Sequence, residues 1–126
     1  KTGVEKEISA ARSLATQSGM RAEIARNYHG QTHLDWTLQG IRIGSVVLLS
    51  IPGEPFTEIN QQIVRQSPFE HTLFSGYSNG GLGYLPVRSA FEEGGYEVEI
   101  SPFSPDAAEV VVAESLSMLK ELQESA

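Results

Sequence analysis

The sequence predicts an α/β fold in which helices pack on a layered, mainly buried sheet. Three observations indicate this fold class. Residues 46–51 form an apolar run typical of a buried strand, and the segment after it repeats apolar residues at helical spacing. The C-terminal segment carries one continuous apolar helical face. Along the chain, the elements are expected in the order α-β-β-α-β-loop-β-α.

The composition is that of one globular domain. The chain has 126 residues, 40% of them hydrophobic and 20% charged, which is enough for a buried core. Its net charge of −7 argues against nucleic acid as a partner, and without cysteine a thiolate metal site is excluded. The longest apolar stretch is too short to cross a bilayer. Because the chain opens Lys1-Thr2-Gly3 without a methionine, we expect a processed product or a piece of a longer protein.

The N-terminal segment is expected to be helical from Val4 to about Arg26. Apolar residues recur on one stripe of this helix, at Val4, Ile8, Ala11 and Ala15. Gly19 is expected to break or bend the helix near its middle, because glycine is a poor helix former.

Two strands and a tight turn are expected next. Apolar and polar residues alternate over Thr32–Thr37, which predicts a half-buried strand. The segment Ile41–Ile51 predicts a second, longer strand, and Gln39-Gly40 between the two suits a hairpin turn.

A strand-to-helix elbow follows at Pro52-Gly53-Glu54. Pro55 suits the first turn of a helix because its missing N–H is not needed there, and this helix is expected to end near Ser67-Pro68. Glu54 is therefore expected at or next to the N-cap, where glutamate is not among the preferred residues. A longer acidic side chain at this place suggests a function other than capping.

The second half of the chain is expected to contain two more strands and a long helix. His71–Tyr77 predicts a strand, Ser78–Pro86 is too glycine-rich for regular structure, and Phe91–Ile100 predicts a turn and a short strand. The last helix is expected to begin at Ser104, a good N-cap that proline and aspartate follow. Its apolar face consists of Ala108, Val111, Val112, Leu116, Leu119 and Leu122.

Two glycine-bearing loops follow strands, namely the elbow at residues 52–54 and the segment 79–84. Sites in open α/β sheets gather beyond the carboxyl ends of strands, so the two loops are expected to converge. The simpler alternative is that the glycines only serve tight turns, and the pattern alone favours it. A phosphate-binding loop is not indicated, because the glycine spacing does not match.

Other candidate residues carry weaker signals. His29 and His33 stand four residues apart, a spacing that binds metal on a helix, but Gly30 and the strand pattern after it argue against a helix there. His71 is expected to be structural or exposed. The acidic residues at 92–99 are typical of a solvated stretch, and the sequence contains no nucleophile-elbow motif of a serine hydrolase.

Three motifs in order, IPGEPFTEI, GYSNGGLGYLP and GGYEVE, resemble the neutral/alkaline non-lysosomal ceramidases, and more closely their short bacterial ceramidase-like relatives. The resemblance covers about residues 41–100. In that family, two histidines, the glutamate of the PGE motif and a tyrosine of the later loop hold zinc. The resemblance therefore implies that Glu54 and Tyr84 are metal ligands. It also implies a binding role for five further residues: Asn79, Gly80, Gly81, Tyr96 and Glu97.

The family's zinc histidines and serine nucleophile lie upstream of the matched region. The resemblance thus implies that residues 1–126 are the C-terminal part of a catalytic domain, although a complete single domain remains the alternative. It implies zinc as a cofactor, hydrolysis of the amide of an N-acyl lipid or related substrate, and no activity for these residues alone. Pro55 departs from the family, whose long members carry Phe-Thr after the glutamate.

Expectations for partners follow from the same observations. If upstream strands are missing, the predicted sheet leaves too much apolar surface in contact with water, so we expect self-association or pairing with the remainder of the same polypeptide. The residues of this surface are Ile41, Ile43, Val46, Leu48 and Ile51. The resemblance implies a soluble protein that is secreted or periplasmic. The alternative function is a non-catalytic α/β module that binds a ligand or a protein through its glycine loops.

Overall fold

The computed structural model describes residues 3–125 and confirms the α/β class, while Lys1, Thr2 and Ala126 lie outside the described part. The elements are α1 (Gly3–Asn27), β1 (Gln39–Ile43), β2 (Val46–Ser50), β3 (Glu54–Pro55), α2 (Thr57–Gln66), β4 (His71–Ser75), β5 (Tyr84–Leu85), α3 (Arg88–Glu93), α4 (Tyr96–Glu99) and α5 (Ala107–Glu124). They form two small sheets. In the first, β2 pairs antiparallel with β1 and parallel with β4, and in the second, β3 and β5 are parallel.

The core lies between the three-stranded sheet and two helices. Val47 and Leu49 of β2 are fully buried, as are Ile59 and Ile63, which lie one helical turn apart on α2. The chain reaches β4 from β2 through α2, as a parallel pair requires. Helix α5 completes this side of the sheet with the apolar face that the sequence predicts. Its buried residues are Ala108, Val111, Val112, Ser115 and Leu119.

The opposite face of the three-stranded sheet is uncovered. Ile41, Leu48 and Leu73 are register partners in one row across β1, β2 and β4. Their exposed fractions are 57%, 39% and 56%, and that of Ile43 is 74%. We call these four residues the open sheet face. Ile51, which the sequence pattern grouped with this surface, is instead fully buried.

The hairpin lies at a different position from the predicted one. β1 and β2 pair up to Ile43 and Val46, and Gly44 makes the turn with a φ of 62°. Glycine adopts this conformation without strain, and two-residue hairpin loops require it. The predicted turn Gln39-Gly40 lies inside β1, and Ile41–Ile51 is therefore two strands.

Packing of α5 explains why Gly40 belongs to a strand. A Cβ at Gly40 would lie 2.6 Å from Leu122 Cδ1 and 2.9 Å from Met118 Sδ, so the missing side chain gives α5 room against β1. Arg42 reinforces this contact, since its Nη1 donates to the carbonyl of Leu122 at 2.9 Å near the end of α5. Tertiary packing thus overrides the turn propensity of glycine at this position.

Two segments predicted as strands have other structures. The segment Thr32–Thr37 is irregular, because Trp36 packs on the ring of Phe103 at a centroid distance of 4.9 Å instead of pairing in a sheet. The segment Phe91–Ile100 contains α3 and α4 rather than a turn and a strand.

Helix boundaries also differ from the predictions. Helix α1 continues unbroken through Gly19, and none of its residues is buried, so its predicted apolar stripe faces solvent. Helix α2 begins at Thr57 after the N-cap Phe56. Glu54 belongs to β3 and is not a capping residue. Helix α5 has Asp106 rather than Ser104 at its N-cap. Among residues 3–125, no helix combines the length and apolar character needed to cross a membrane.

Candidate functional site

The two elbows that follow β2 and β4 meet in the structure. Four backbone hydrogen bonds of 2.8–2.9 Å join them. The N–H of Glu54 donates to the Gly83 carbonyl, that of Tyr77 to Gly53, that of Ser78 to Ile51, and that of Leu82 to Pro52. The parallel pair β3–β5 continues this contact and sets Glu54 opposite Tyr84. The second sheet thus brings together two loops that are 30 residues apart in the chain (84 − 54).

Three glycines allow the elbows to approach each other. A Cβ at Gly80 would lie 2.8 Å from Pro52 Cβ, and a Cβ at Gly53 would lie 3.0 Å from the Gly83 carbonyl. At Gly76 it would lie 3.1 Å from the Gly53 carbonyl. These contacts are tighter than side chains normally make, so close packing between the two converging elbows accounts for these three glycines.

Side chains from the elbows line an open cleft of about 330 Å³. Glu54 and Tyr84 lie on its wall together with Thr57 at the start of α2 and Glu97 of α4. The hydroxyl of Tyr77 donates to Glu54 Oε2 at 2.5 Å, a short and charge-assisted hydrogen bond. One carboxylate and two phenols are therefore grouped at this end of the two sheets.

The carboxylate of Glu54 controls the electrostatics of this group. Its hydrogen bond, followed by desolvation and by its negative charge, raises the pKa of Tyr77 to about 12. Desolvation and the charge of Glu54 also raise the pKa of Tyr84. Without a cation in the cleft, both phenols remain neutral at physiological pH and act as hydrogen-bond donors.

Of the five predicted binding residues, the structure sets Glu97 alone on the wall of this cleft. Tyr96 packs edge-on against Tyr84 with a centroid distance of 6.0 Å, and its hydroxyl contacts Met20 of α1. The amide of Asn79, a residue with a φ of 63°, donates to the side chain of Gln39 on β1. Gly80 packs against the first elbow, as described above. A Cβ at Gly81 would have no neighbour within 4 Å.

Tyr77 was not predicted as a site residue. Motif comparison does not single it out, although it is the last residue of the predicted strand His71–Tyr77 and follows Gly76 in the second elbow. Within residues 3–125, the cleft included, no group of three or more histidine, aspartate or glutamate side chains is arranged to hold a metal ion.

Comparisons with known proteins relate the fold of this chain to that of ceramidases. A solved ceramidase complexed with C2 has a TM-score of 0.62 and 24% identity, over 70% of this chain and 15% of the ceramidase chain. The neutral ceramidase from Pseudomonas aeruginosa has a TM-score of 0.52 and 23% identity, over 67% of this chain and 15% of that chain. This chain thus spans 15% of the length of each of these two ceramidases. No protein-family model and no curated protein matches the sequence. Its structural neighbours are neutral ceramidases, and the resemblance carried by the three motifs is confirmed at the level of the fold.

Proposed function

We propose that this chain is the C-terminal part of the catalytic domain of a zinc-dependent N-acyl amide hydrolase of the ceramidase type. Glu54 and Tyr84 would contribute two oxygen ligands to the metal site. The observation that carries the proposal is their pairing in β3–β5, which sets a carboxylate and a phenol on the wall of one cleft. The fold shared with two ceramidases supports the reaction class.

The donor set of the cleft fits zinc in its chemistry. Zinc accepts carboxylate oxygen as a ligand, and sites normally have four ligands in total. Glu54 and Tyr84 supply two oxygens, so the remaining ligands would come from residues outside residues 3–125. Bound zinc would supply a Lewis acid that polarises an amide carbonyl. The nucleophile would likewise lie outside these residues.

The residues of this chain have their own roles in the proposal. Backbone pairing with Gly83 and Tyr84 fixes the main chain of Glu54, so its side chain starts from a fixed point beside the cleft before any ligand arrives. Tyr84 is a neutral donor next to that carboxylate, because burial and the charge of Glu54 raise the pKa of its phenol. A cation beside both groups would reverse this effect and favour the phenolate. Tyr96 limits the orientations of the Tyr84 ring through its edge contact.

Zinc titration of the isotopically labelled chain, followed by amide chemical shifts, tests this proposal. We expect weak binding, because two ligands do not make a complete site, with the largest shifts near Glu54 and Tyr84. Glu54→Gln and Tyr84→Phe should each weaken binding at least tenfold. Glu93→Gln, which removes an exposed carboxylate of α3, is the matched control and should bind as the unchanged chain does.

Two results would contradict this assignment. Shifts centred on His29 and His33, or equal binding by all variants, would place the metal elsewhere. Stoichiometric zinc that remains bound through purification would mean that residues 3–125 build a complete site of a different kind.

Activity provides a second test. The 126 residues alone should not hydrolyse a short-chain ceramide, because the proposed nucleophile and two metal ligands lie outside them. Turnover by this chain that Glu54→Ala abolishes would refute the partial-domain proposal while supporting the site itself.

One observation favours a second candidate function, a non-catalytic module that binds another protein. The open sheet face presents four apolar side chains to solvent, and such surfaces mark interfaces. Ligand binding by the glycine loops has less support, because close packing already accounts for Gly53, Gly76 and Gly80. A chain that binds no zinc but associates through the open sheet face would favour the module.

A further inference from the structure

We infer that Tyr77 is a positioning residue, which holds the Glu54 carboxylate in one orientation on the wall of the cleft. The consequence for a metal rests on the proposed function, but the contact itself does not. Tyr77 Oη donates to Glu54 Oε2 at 2.5 Å, which leaves the other carboxylate oxygen free of this bond. A carboxylate with one oxygen engaged in this way presents the second oxygen in a defined direction.

The backbone of Tyr77 is held at the same place as its side chain. Its N–H donates to the carbonyl of Gly53 at 2.9 Å, one residue before Glu54. Tyr77 thus forms two hydrogen bonds to the first elbow, one from its main chain to Gly53 and one from its phenol to Glu54. Because both contacts involve adjacent residues, the phenol and the carboxylate are fixed relative to each other.

The conformation of Tyr77 is unusual for a bulky residue. Its φ of 52° lies in the left-handed region, which glycine adopts freely and tyrosine rarely does. Strained residues of this kind cluster at functional sites, where surrounding contacts hold them in place. A side chain that is 58% exposed contributes little to core packing, so its contact with Glu54 is the interaction that a tyrosine supplies here and a glycine would not.

The contacts of the neighbouring phenols differ from that of Tyr77. Tyr84 lies opposite Glu54 in the β3–β5 pair, has a smaller hydrogen-bond interaction with the same carboxylate, and is the proposed metal ligand. The hydroxyl of Tyr96 is directed to Met20 of α1, with an oxygen-to-sulfur distance of 3.7 Å. Tyr77 is therefore the phenol whose hydrogen bond fixes the carboxylate from the side of the β4 elbow.

The first experiment measures the side-chain rotamer of Glu54 in the metal-free chain by NMR scalar couplings. The unchanged chain should show one dominant rotamer, and Tyr77→Phe should show averaging over several. Tyr28→Phe, which removes the same atom from the tyrosine that follows α1, should leave the Glu54 couplings unchanged. Backbone amide shifts away from the two elbows should be the same in all three chains, which shows that each variant is folded. An unchanged Glu54 rotamer in folded Tyr77→Phe would overturn the inference.

The second experiment measures zinc affinity and separates this inference from the proposed function. If both are right, Tyr77→Phe weakens zinc binding about tenfold or more, as the loss of a group that orients a ligand does. Binding of zinc that depends on Glu54 and is equal or tighter in Tyr77→Phe would show that Tyr77 competes with the metal, and this would also overturn the inference. Absence of binding by the unchanged chain would count against the proposed function alone, since the rotamer measurement decides the role of Tyr77 without metal.

Discussion

The phenol of Tyr77 holds its proton more tightly in the folded chain than in the unfolded chain. Its pKa is about 12 in the folded chain and 10.0 ordinarily, chiefly because the hydroxyl donates to Glu54. A raised folded-state pKa adds stability below pH 10, and this stability is lost as the pH rises from about 10 to about 12. Because Tyr77 is 58% exposed, the effect should stay below about 1 kcal/mol.

Ultraviolet titration of tyrosinate and urea unfolding between pH 9 and 12 check this prediction. The pKa of Tyr84 is raised as well, so we expect the last of the four phenols to titrate to disappear in Tyr77→Phe and to titrate earlier in Glu54→Gln. The unchanged chain should lose stability relative to Tyr77→Phe as the pH rises through this window. Equal pH dependence of unfolding in the two chains would show that the bond to Glu54 does not form in solution.

Gly80 and Gly81 should respond differently to the same substitution. A Cβ at Gly80 would lie 2.8 Å from Pro52 Cβ, whereas a Cβ at Gly81 would meet nothing within 4 Å. Gly80→Ala should therefore destabilise the chain by about 1–3 kcal/mol. Gly81→Ala should change stability by no more than about 0.5 kcal/mol. Denaturant unfolding measures both, and equal effects would mean that the two elbows are not closely packed.

At the scale of single residues, the motifs predicted Glu54 and Tyr84 as neighbours because each follows a strand. The same reasoning missed Tyr77, since its contact depends on a left-handed backbone conformation. It also placed Glu54 at or next to the N-cap of α2, whereas Glu54 lies in β3 and α2 begins at Thr57. A proline after the glutamate suggested a helix start, but Pro55 pairs with Leu85 in β5 instead. Pairing between distant segments is not visible in local propensity.

The elements that the sequence predicted best are those with a long apolar face. Helix α5 buries the predicted stripe, and α2 ends at Gln66, one residue before the predicted Ser67-Pro68 stop. The failures are short segments whose structure depends on tertiary contacts. Trp36 leaves its predicted strand to pack on Phe103, and residues 96–99 form a single helical turn against β5 and α1.

Helix α1 should be the least stable element of the fold. It has no buried residue, and its contacts with α4 include a salt bridge between Arg21 and Glu99 at 3.8 Å, in which both side chains are exposed. Such pairs add little stability. Amide hydrogen exchange should therefore be faster in α1 than in α5.

Gly19→Ala tests the same element directly. Nothing lies within 4 Å of a Cβ at this position, so alanine should stabilise the helix by about 0.5–1 kcal/mol. Exchange of α1 amides should slow roughly two- to fivefold, while global unfolding should change less. Gly81→Ala serves as the control that leaves α1 exchange unaltered. Unchanged exchange in Gly19→Ala would mean that α1 is not an exposed helix in solution.

At the scale of the whole molecule, the two faces of the main sheet differ sharply. One face packs on α2 and α5, and the other presents the open sheet face. Helix α1 does not cover it, since α1 itself has no buried residue. Among residues 3–125, the terminal helices therefore leave the open sheet face in contact with solvent. Because the chain spans 15% of each ceramidase it matches, we propose that the remainder of a longer polypeptide covers this face in the intact protein.

The isolated chain should therefore associate with itself through the open sheet face. A row of Ile41, Leu48 and Leu73 across three strands offers a continuous apolar surface, and the free edges of β1 and β4 invite further pairing. Ile43→Lys combined with Leu73→Lys should reduce association, because lysine on edge strands opposes both contacts. Sedimentation velocity over a range of concentrations measures the change.

The matched control combines Val64→Lys with Val110→Lys, which adds the same charge at exposed apolar positions of α2 and α5. Both double variants move the net charge of −7 equally, so a loss of association confined to the first pair assigns the contact to the sheet. A monodisperse monomer with one sharp unfolding transition in the unchanged chain would instead show that residues 1–126 fold as a complete domain, and it would strengthen the binding-module alternative.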